Sequence, residues 1–321
     1  MMRKWSLCIC AAFLTLIAEN VGAFPDRTIT VVNTNAAGNT GDIAFRIILP
    51  ILEQRLGQAI VVVNKPGASG EIAVSEVARA TPDGYTLLLA PNNNYVMNQF
   101  ILKSSAGNPL ELLAPITTIS AGHSVIVVPA NLQVSNLKEL QELARKERGK
   151  INYGSPGTGT PPHLAAAAFA KLADIEMVHV PYRGSPAVIQ GLLTGDIQLY
   201  FSVVSAVKGQ LDSGKLKALA VAAPQRLDVL PEVPTTAEQG FPELISGSWW
   251  ALAAPKGTPL ERLEKIAAAV QSAFRDPAVL KRFKELNISP GGASAQELEN
   301  QISQETIFWR KIIPSLKISP L

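Results

Sequence analysis

Two glycine-bearing loops hold the residues whose types and spacing could do chemistry. The first reads Asn33-Thr34-Asn35-Ala36-Ala37-Gly38-Asn39-Thr40-Gly41-Asp42; the second reads Gly154-Ser155-Pro156-Gly157-Thr158-Gly159-Thr160-Pro161-Pro162-His163. Each follows an apolar strand and precedes an amphipathic helix. Backbone N–H groups at a helix start, together with the helix dipole, make a site for an anion. Glycine lets the backbone approach a ligand, and the Ser and Thr hydroxyls add donors. Two such loops face to face could hold a carboxylate without an arginine. The plainer reading stands beside it: Gly38, Gly157 and Gly159 serve turn geometry alone.

Other residues allow two readings as well. His163 sits in a first helical turn, where it bonds loop backbone or touches a ligand. Asp42 is its counterpart in the first loop and reads as loop scaffold, since a carboxylate facing an anionic ligand would repel it. Asn92, Asn93 and Asn94 follow the strand Thr86–Ala90, at the carboxyl end where open α/β sheets bind ligands, or else form a plain turn. Ser202 and Ser205 hold the matching place in the second half. Trp249 and Trp250 are core residues or a ligand wall.

Established catalytic patterns fit badly. Pro162 stands where a dinucleotide fingerprint needs its third glycine, and no phosphate-loop lysine follows either run. Gly122-His123-Ser124 lacks the trailing glycine of a nucleophile elbow. His123, His163 and His179 are scattered without metal spacing, so neither metal nor cofactor is expected.

The elements that must position these loops come in two similar sets. Ile29–Val32, a helix striped by Ile43, Ile47, Ile51, Leu52 and Leu56, the strand Val61–Val63 with the loop Asn64–Gly70, and the strand Gly84–Leu89 make one. Lys150–Tyr153, a helix after His163, Val178–Pro181 with Tyr182-Arg183-Gly184-Ser185, and Asp196–Phe201 make the other. Ser124–Val128 and Ser248–Ala253 read as the strands that leave and re-enter the first set. The second lobe is therefore expected to be inserted: 24–124 with 247–321 as lobe one, 125–246 as lobe two, and two crossings that act as a hinge. Toward the C-terminus, Thr258-Pro259-Leu260-Glu261 and Ser294-Ala295-Gln296-Glu297 both read as capping boxes, and Asp276 as a cap for a helix from Pro277.

The 321 residues, 47% hydrophobic and 17% charged, suffice for two cored lobes. A net charge of +3 without a basic run argues against nucleic acid. Arg3 and Lys4, the apolar Trp5–Ala18 and the small Val21-Gly22-Ala23 read as a secretory leader, residues 1–23, cleaved after Ala23. Both cysteines, Cys8 and Cys10, lie inside it, so the mature chain has no thiol chemistry or disulfide, which suits the periplasm.

The order of motifs resembles the Bug-type receptors of tripartite tricarboxylate transporters along the whole mature chain. The resemblance rests on Ala36-Ala37-Gly38 with Asp42, Asn64-Lys65-Pro66-Gly67-Ala68-Ser69-Gly70 and Pro82-Asp83-Gly84-Tyr85-Thr86-Leu87-Leu88. It continues through Gly157-Thr158-Gly159-Thr160 with His163-Leu164-Ala165, His179-Val180-Pro181-Tyr182-Arg183-Gly184-Ser185, and Pro231-Glu232-Val233-Pro234-Thr235. It implies an α/β, two-lobed type II periplasmic-binding-protein fold with a central cleft. It also implies a monomeric receptor that captures a small organic carboxylate and delivers it to membrane permease subunits. By position it offers Asn35, Ala36, Gly38 and Asn39 from the first loop, and Ser155, Gly157, Thr158, Gly159 and Thr160 from the second.

Three departures bear on the cargo. Asn35 stands where the family usually has an aromatic residue, and Asn39 where it has a second glycine. Members that bind amino acids often carry an aspartate at the position of Ser202; without it an ammonium lacks its partner. The expected ligand has carboxylates and no amine. The alternatives are a periplasmic enzyme using Asp42 or His163 as acid or base, and a ligand sensor for a kinase.

Overall fold

The computed structural model describes residues 24–103 and 107–316. The expected leader lies outside them. The first half runs β1 (Ile29–Asn33), α1 (Thr40–Leu56), β2 (Ile60–Asn64), α2 (Glu71–Ala78), β3 (Thr86–Pro91), α3 (Asn98–Ile101), α4 (Pro109–Leu112) and β4 (Leu113–Pro129). Next come α5 (Leu137–Lys146), β5 (Asn152–Ser155), α6 (Pro161–Leu172), β6 (Val178–Pro181), α7 (Ser185–Thr194), β7 (Leu199–Val203), α8 (Val204–Asp212) and β8 (Leu216–Ala222). The chain closes with β9 (Gly247–Pro255), α9 (Leu260–Ala273), α10 (Pro277–Glu285), β10 (Ser289–Pro290) and α11 (Ala295–Ile312).

The sequence repeat is a repeat of structure. β1 lies between β2 and β3, all parallel, and β5 lies between β6 and β7, again all parallel. β3 pairs antiparallel with β9, and β7 with the far half of β4. β4 and β9 run antiparallel from Leu113↔Pro255 to His123↔Gly247. Beyond that point β4 leaves β9 and pairs with β7 and β8 instead. The two sheets therefore meet at Gly122–His123 and Ser246–Gly247.

This register fixes where the loops point. Pro91, at the carboxyl end of β3, pairs with Trp250, near the crossing. Val203, at the carboxyl end of β7, pairs with Ser124, on the other side of it. The strands of both sheets thus run toward the crossing, and the loops after β1 and β5 face each other across it.

Each sheet is covered on both sides, which gives four clusters of buried apolar side chains. Phe45, Ile48 and Leu52 of α1 pack with Trp250, Ile266 and Val270 on one face of the first sheet. Tyr95, Trp249, Leu298, Ile302 and Trp309 fill the other. Full burial of each such side chain contributes roughly 1.5–3 kcal/mol. Leu164 of α6 joins this second cluster, and Ile312 packs on the cluster formed by Phe169, Phe201 and Leu219. The end of α11 thus spans both lobes.

Local details correct the sequence reading. The buried stripe of α1 is Ala44, Phe45, Ile48, Leu52 and Leu56; Ile43 is exposed, and Ile47 and Ile51 are half-buried. A run of isoleucines gave the right period but a face turned by one residue. The capping box at Ser294 is formed, and Asp276 caps α10. The one expected at Thr258 is not: Pro259 takes the cap position of α9, and the Thr258 hydroxyl donates to the Pro255 carbonyl at 2.8 Å. Among the described residues no helix is long and apolar enough to cross a membrane.

Candidate functional site

In the first loop a buried carboxylate organises the backbone. Asp42, 2% exposed, accepts the Gly38 N–H at 2.9 Å and the Arg46 Nε at 3.0 Å. The side-chain amides of Asn33 and Asn64 lie 3.5 Å from its other oxygen. Burial works to raise this carboxyl, but the hydrogen bonds from Arg46 and Gly38, with the Arg46 charge and the Asn64 amide, hold it below the ordinary aspartate range. Asn39 caps α1, accepting the Asp42 N–H at 3.0 Å and donating to the Ala36 carbonyl at 2.6 Å. Asn33 accepts the Asn35 N–H, and Asn64 donates to the Asn35 carbonyl. Ala36, Ala37 and Gly38 form the exposed tip. Below them the Trp250 indole presses on Gly41, where a Cβ would lie 2.2 Å from the ring; no larger residue fits.

A histidine performs the same task in the second loop. His163 Nδ1 accepts the Gly159 N–H at 3.0 Å, four residues back, as Asp42 does for Gly38. That bond leaves the ring proton on Nε2. Ser155 accepts the Gly157 N–H, lies 2.8 Å from the Gly157 carbonyl, and sits 2.7 Å from His179 Nε2. The Thr160 hydroxyl donates to the same carbonyl. The rings of His163 and His179 stack at 3.8 Å, with Tyr153 5.1 Å from His179. Burial, then repulsion from His179, pushes His163 down to about 3, and burial pushes His179 down to about 4, so both rings are neutral at physiological pH.

These bonds revise which donors the loops can offer. The N–H groups of Gly38 and Gly159 are turned inward, and Pro161 and Pro162 at the start of α6 have none. Thr158 is left with its N–H and hydroxyl outside every hydrogen bond among the described residues, beside the half-exposed Gly157. In lobe one the first helical N–H, that of Thr40, has no acceptor within its helix.

The remaining expected residues lie deeper. Asn92 donates to the Gly247 carbonyl at 3.1 Å; its own Oδ1 is buried without a hydrogen-bond partner. Asn93 and Asn94 donate to the Ser69 carbonyl at 3.4 and 2.8 Å, and Asn98 adds a third amide at 3.0 Å. Ser202 is fully buried, its hydroxyl on the Val203 carbonyl. Trp249 and Trp250 are both core. His123 lies on the crossing strand, away from the stacked pair. Among the described residues no three His, Cys, Asp or Glu side chains cluster to hold a metal.

Three features escaped the sequence reading. His179 joins His163, though 16 positions and a helix separate them. The Gly67–Gly70 loop holds four successive left-handed residues, including Ala68 (φ 46°) and Ser69 (φ 53°). At Ala68 and Ser69, the two that are not glycine, such strain costs about 1–3 kcal/mol each, and the three asparagine amides on the Ser69 carbonyl hold it in place. Glu305 of α11 accepts the Trp249 indole N–H at 2.7 Å and the Gln301 amide at 2.9 Å. Burial raises its carboxyl even though Gln301, Trp249 and Asn92 donate to it. Asn98, five residues after Asn93, was the one visible sequence signal of the three amides that converge on Ser69.

Known proteins are similar to this chain over most of its length. The family model described as "Tripartite tricarboxylate transporter family receptor" matches residues 44–318. A UPF0065 protein of the tcbD-tcbE intergenic region in Pseudomonas sp. (strain P51) is 33% identical over 94% of this chain and 90% of its own length. The solved structure of R. palustris Rpa4515 with adipate is 29% identical, covers 93% of this chain and 100% of its own, and superposes with a TM-score of 0.83. MatC (Rpa3494) from Rhodopseudomonas palustris with bound malate is 27% identical, covers 90% and 100%, and gives 0.80.

Proposed function

From the premise that this chain belongs to the tripartite tricarboxylate transporter receptor family, we propose that it captures a small organic carboxylate in the periplasm and hands it to a membrane permease. It is a solute-binding receptor with the two-lobed periplasmic-binding-protein fold. The observation that carries the carboxylate reading is the pair of facing loops, each closed by a side chain four residues beyond its glycine. The ligand sits between them. The Thr158 N–H and hydroxyl meet one carboxylate, with Gly157 leaving room beside them, and Ala36, Ala37 and the Thr40 N–H meet the other end, with Asn35, Asn39 and Thr160 at the rim and Ser155 beneath. Adipate and malate, held by two relatives, have the chemistry this cleft suits: carboxylates and no amine.

The lobes divide as 24–124 with 247–321, and 125–246. They close about Gly122–His123 and Ser246–Gly247 as a hinge. We read it as binding without transforming its ligand: Ser155, though 2.7 Å from His179 Nε2, is fully buried and gives its proton to the Gly157 carbonyl, which leaves His179 Nε2 a donor and not a base.

A thermal-shift screen of refolded protein from residue 24 onward tests the reading. A ligand at one hundred times its Kd adds about 2.7 kcal/mol, so a dicarboxylate should raise Tm clearly while amino acids leave it unchanged. Tight binding of amino acids with no response to adipate, malate or other carboxylates would overturn the proposed cargo.

A further inference from the structure

We infer that His179 is a positioning residue for the Ser155–Thr160 loop, setting through Ser155 and His163 the shape in which that loop meets its ligand. The inference rests on the receptor reading only for what the loop binds; the positioning itself is read from geometry. His179 stands on β6, the edge strand of its sheet, level with Tyr153. From there one imidazole touches both ends of the loop. Its Nε2 is 2.7 Å from the Ser155 hydroxyl, which in turn holds the Gly157 peptide from both sides. Its face lies 3.8 Å from His163, which holds the Gly159 N–H.

The other lobe repeats the device with different chemistry. Asn64 stands on the edge strand β2, at the end of that strand beside the first loop. Its amide also reaches both ends of its loop, the Asn35 carbonyl at 3.0 Å and Asp42 at 3.5 Å. The two repeated lobes thus each extend one edge-strand side chain, Asn in one and His in the other, to the start of a loop and to the residue that closes it. A side chain that merely filled space would not need to find both partners twice.

The neutrality of the pair fits the task. A proton on His163 Nδ1 would remove the acceptor of the Gly159 N–H. Both rings lie well below their ordinary range, driven first by burial.

Amide exchange of Gly159 by NMR tests this without needing a ligand. His179→Ala should speed exchange at Gly159 about ten-fold, the loss of roughly one hydrogen bond's worth of protection, and leave core amides such as Phe169 unchanged. His179→Gln places an amide nitrogen as far from the backbone as imidazole Nε2 and should restore most of the protection. Ser155→Ala, which breaks the link from the other end, should add little to His179→Ala. Imidazole ¹⁵N shifts at pH 7 should show His163 protonated on Nε2 and bare on Nδ1. With adipate and malate as probes, the thermal shift should shrink in His179→Ala and return in His179→Gln.

Wild-type exchange at Gly159 in His179→Ala, acceleration spread evenly through the lobe, or a His163 Nδ1–H would each overturn the proposal. Failure of both probes to shift the wild-type protein would count against the carboxylate reading instead, while the exchange result would still decide the role of His179.

Discussion

The two glycine loops solve one backbone problem with opposite electrostatics. Each buries the N–H of a glycine at φ near +80° on a side chain four residues ahead. Lobe one uses a carboxylate, Asp42, and offsets its charge with Arg46; lobe two uses an imidazole kept neutral by burial. The difference matters for the carboxylate proposed as ligand, which is an anion. A buried negative charge in one loop weakens its pull, so the neutral loop is the stronger host and the one more sensitive to an added charge. Gly159→Asp breaks the comparison most directly. Gly159 is buried at φ +80°, where a side chain costs about 1–2 kcal/mol, and the new carboxylate would add a negative charge to the loop proposed to hold the ligand's. Carboxylate affinity should fall about 100-fold or more, measured by calorimetry. Gly38→Asp, at an exposed tip with nothing within 4 Å of its would-be Cβ, should cost clearly less. Equal losses would dissolve the asymmetry.

Removing the latches themselves should be read in stability. Asp42→Ala removes the acceptor of the Gly38 N–H and the partner of the half-exposed Arg46, at a cost of about 1 kcal/mol in chemical denaturation. Its pH signature has a definite sign. The folded pKa lies below 3.8, so the contribution is complete above that value and is lost as pH falls through the folded pKa. His163 acts earlier. Its folded value near 3 lies below the unfolded 6.5, so the unfolded chain binds the proton first and stability falls as pH drops from about 6.5, by up to about 1.4 kcal/mol per unit. His163→Asn keeps an acceptor for Gly159 and should flatten the slope between about pH 6 and 4. The same slope in this variant would assign the acid sensitivity of lobe two elsewhere.

A smaller contrast sets Glu305 against Asp42. Asp42 has an arginine; Glu305 has neutral donors alone among its named partners, and burial raises it above its ordinary 4.5. A raised carboxyl favours the fold when protonated and penalises it once pH exceeds the folded value. Glu305→Gln retains an acceptor for Trp249 and Gln301 and should raise Tm at pH 8. That gain should vanish as pH falls below about 4.5. A lower Tm at pH 8 would mean that the charge itself is needed beside the crossing.

The repeat, the strand ends and the loop glycines were legible because each is a local pattern: an apolar run, a polar break, a 3.6-residue stripe. The place of Asp42 as scaffold could be argued from charge alone. What could not be read was contact across elements. Nothing near His179 in the chain says that its ring lies on His163, since the register of β5 with β6 decides it. Asn92–Asn94 showed as amides at a strand end, but the carbonyl three amides share belongs to a strained turn 24 or more residues away. Burial of both tryptophans likewise follows from sheet alternation, with Trp249 and Trp250 serving opposite faces.

The two capping-box sequences show how thin the margin between legible and illegible can be, and they give the smallest expected effects. Ser294 and Glu297 cap reciprocally. Thr258 has the same spacing to Glu261, yet its N–H, which the reciprocal bond needs, is held by the Pro255 carbonyl, and Pro259 takes the cap position. Its hydroxyl turns back to Pro255. Ser294→Ala should therefore lower Tm by about 2 °C, the usual loss of a cap in a chain of this size. Thr258→Ala should lower it by less, because the Pro255 carbonyl keeps the Thr258 N–H at 3.2 Å. A larger drop at Thr258 would show that anchoring the end of β9, the strand that carries the chain back from the crossing, matters more than starting α11, the helix that spans both lobes.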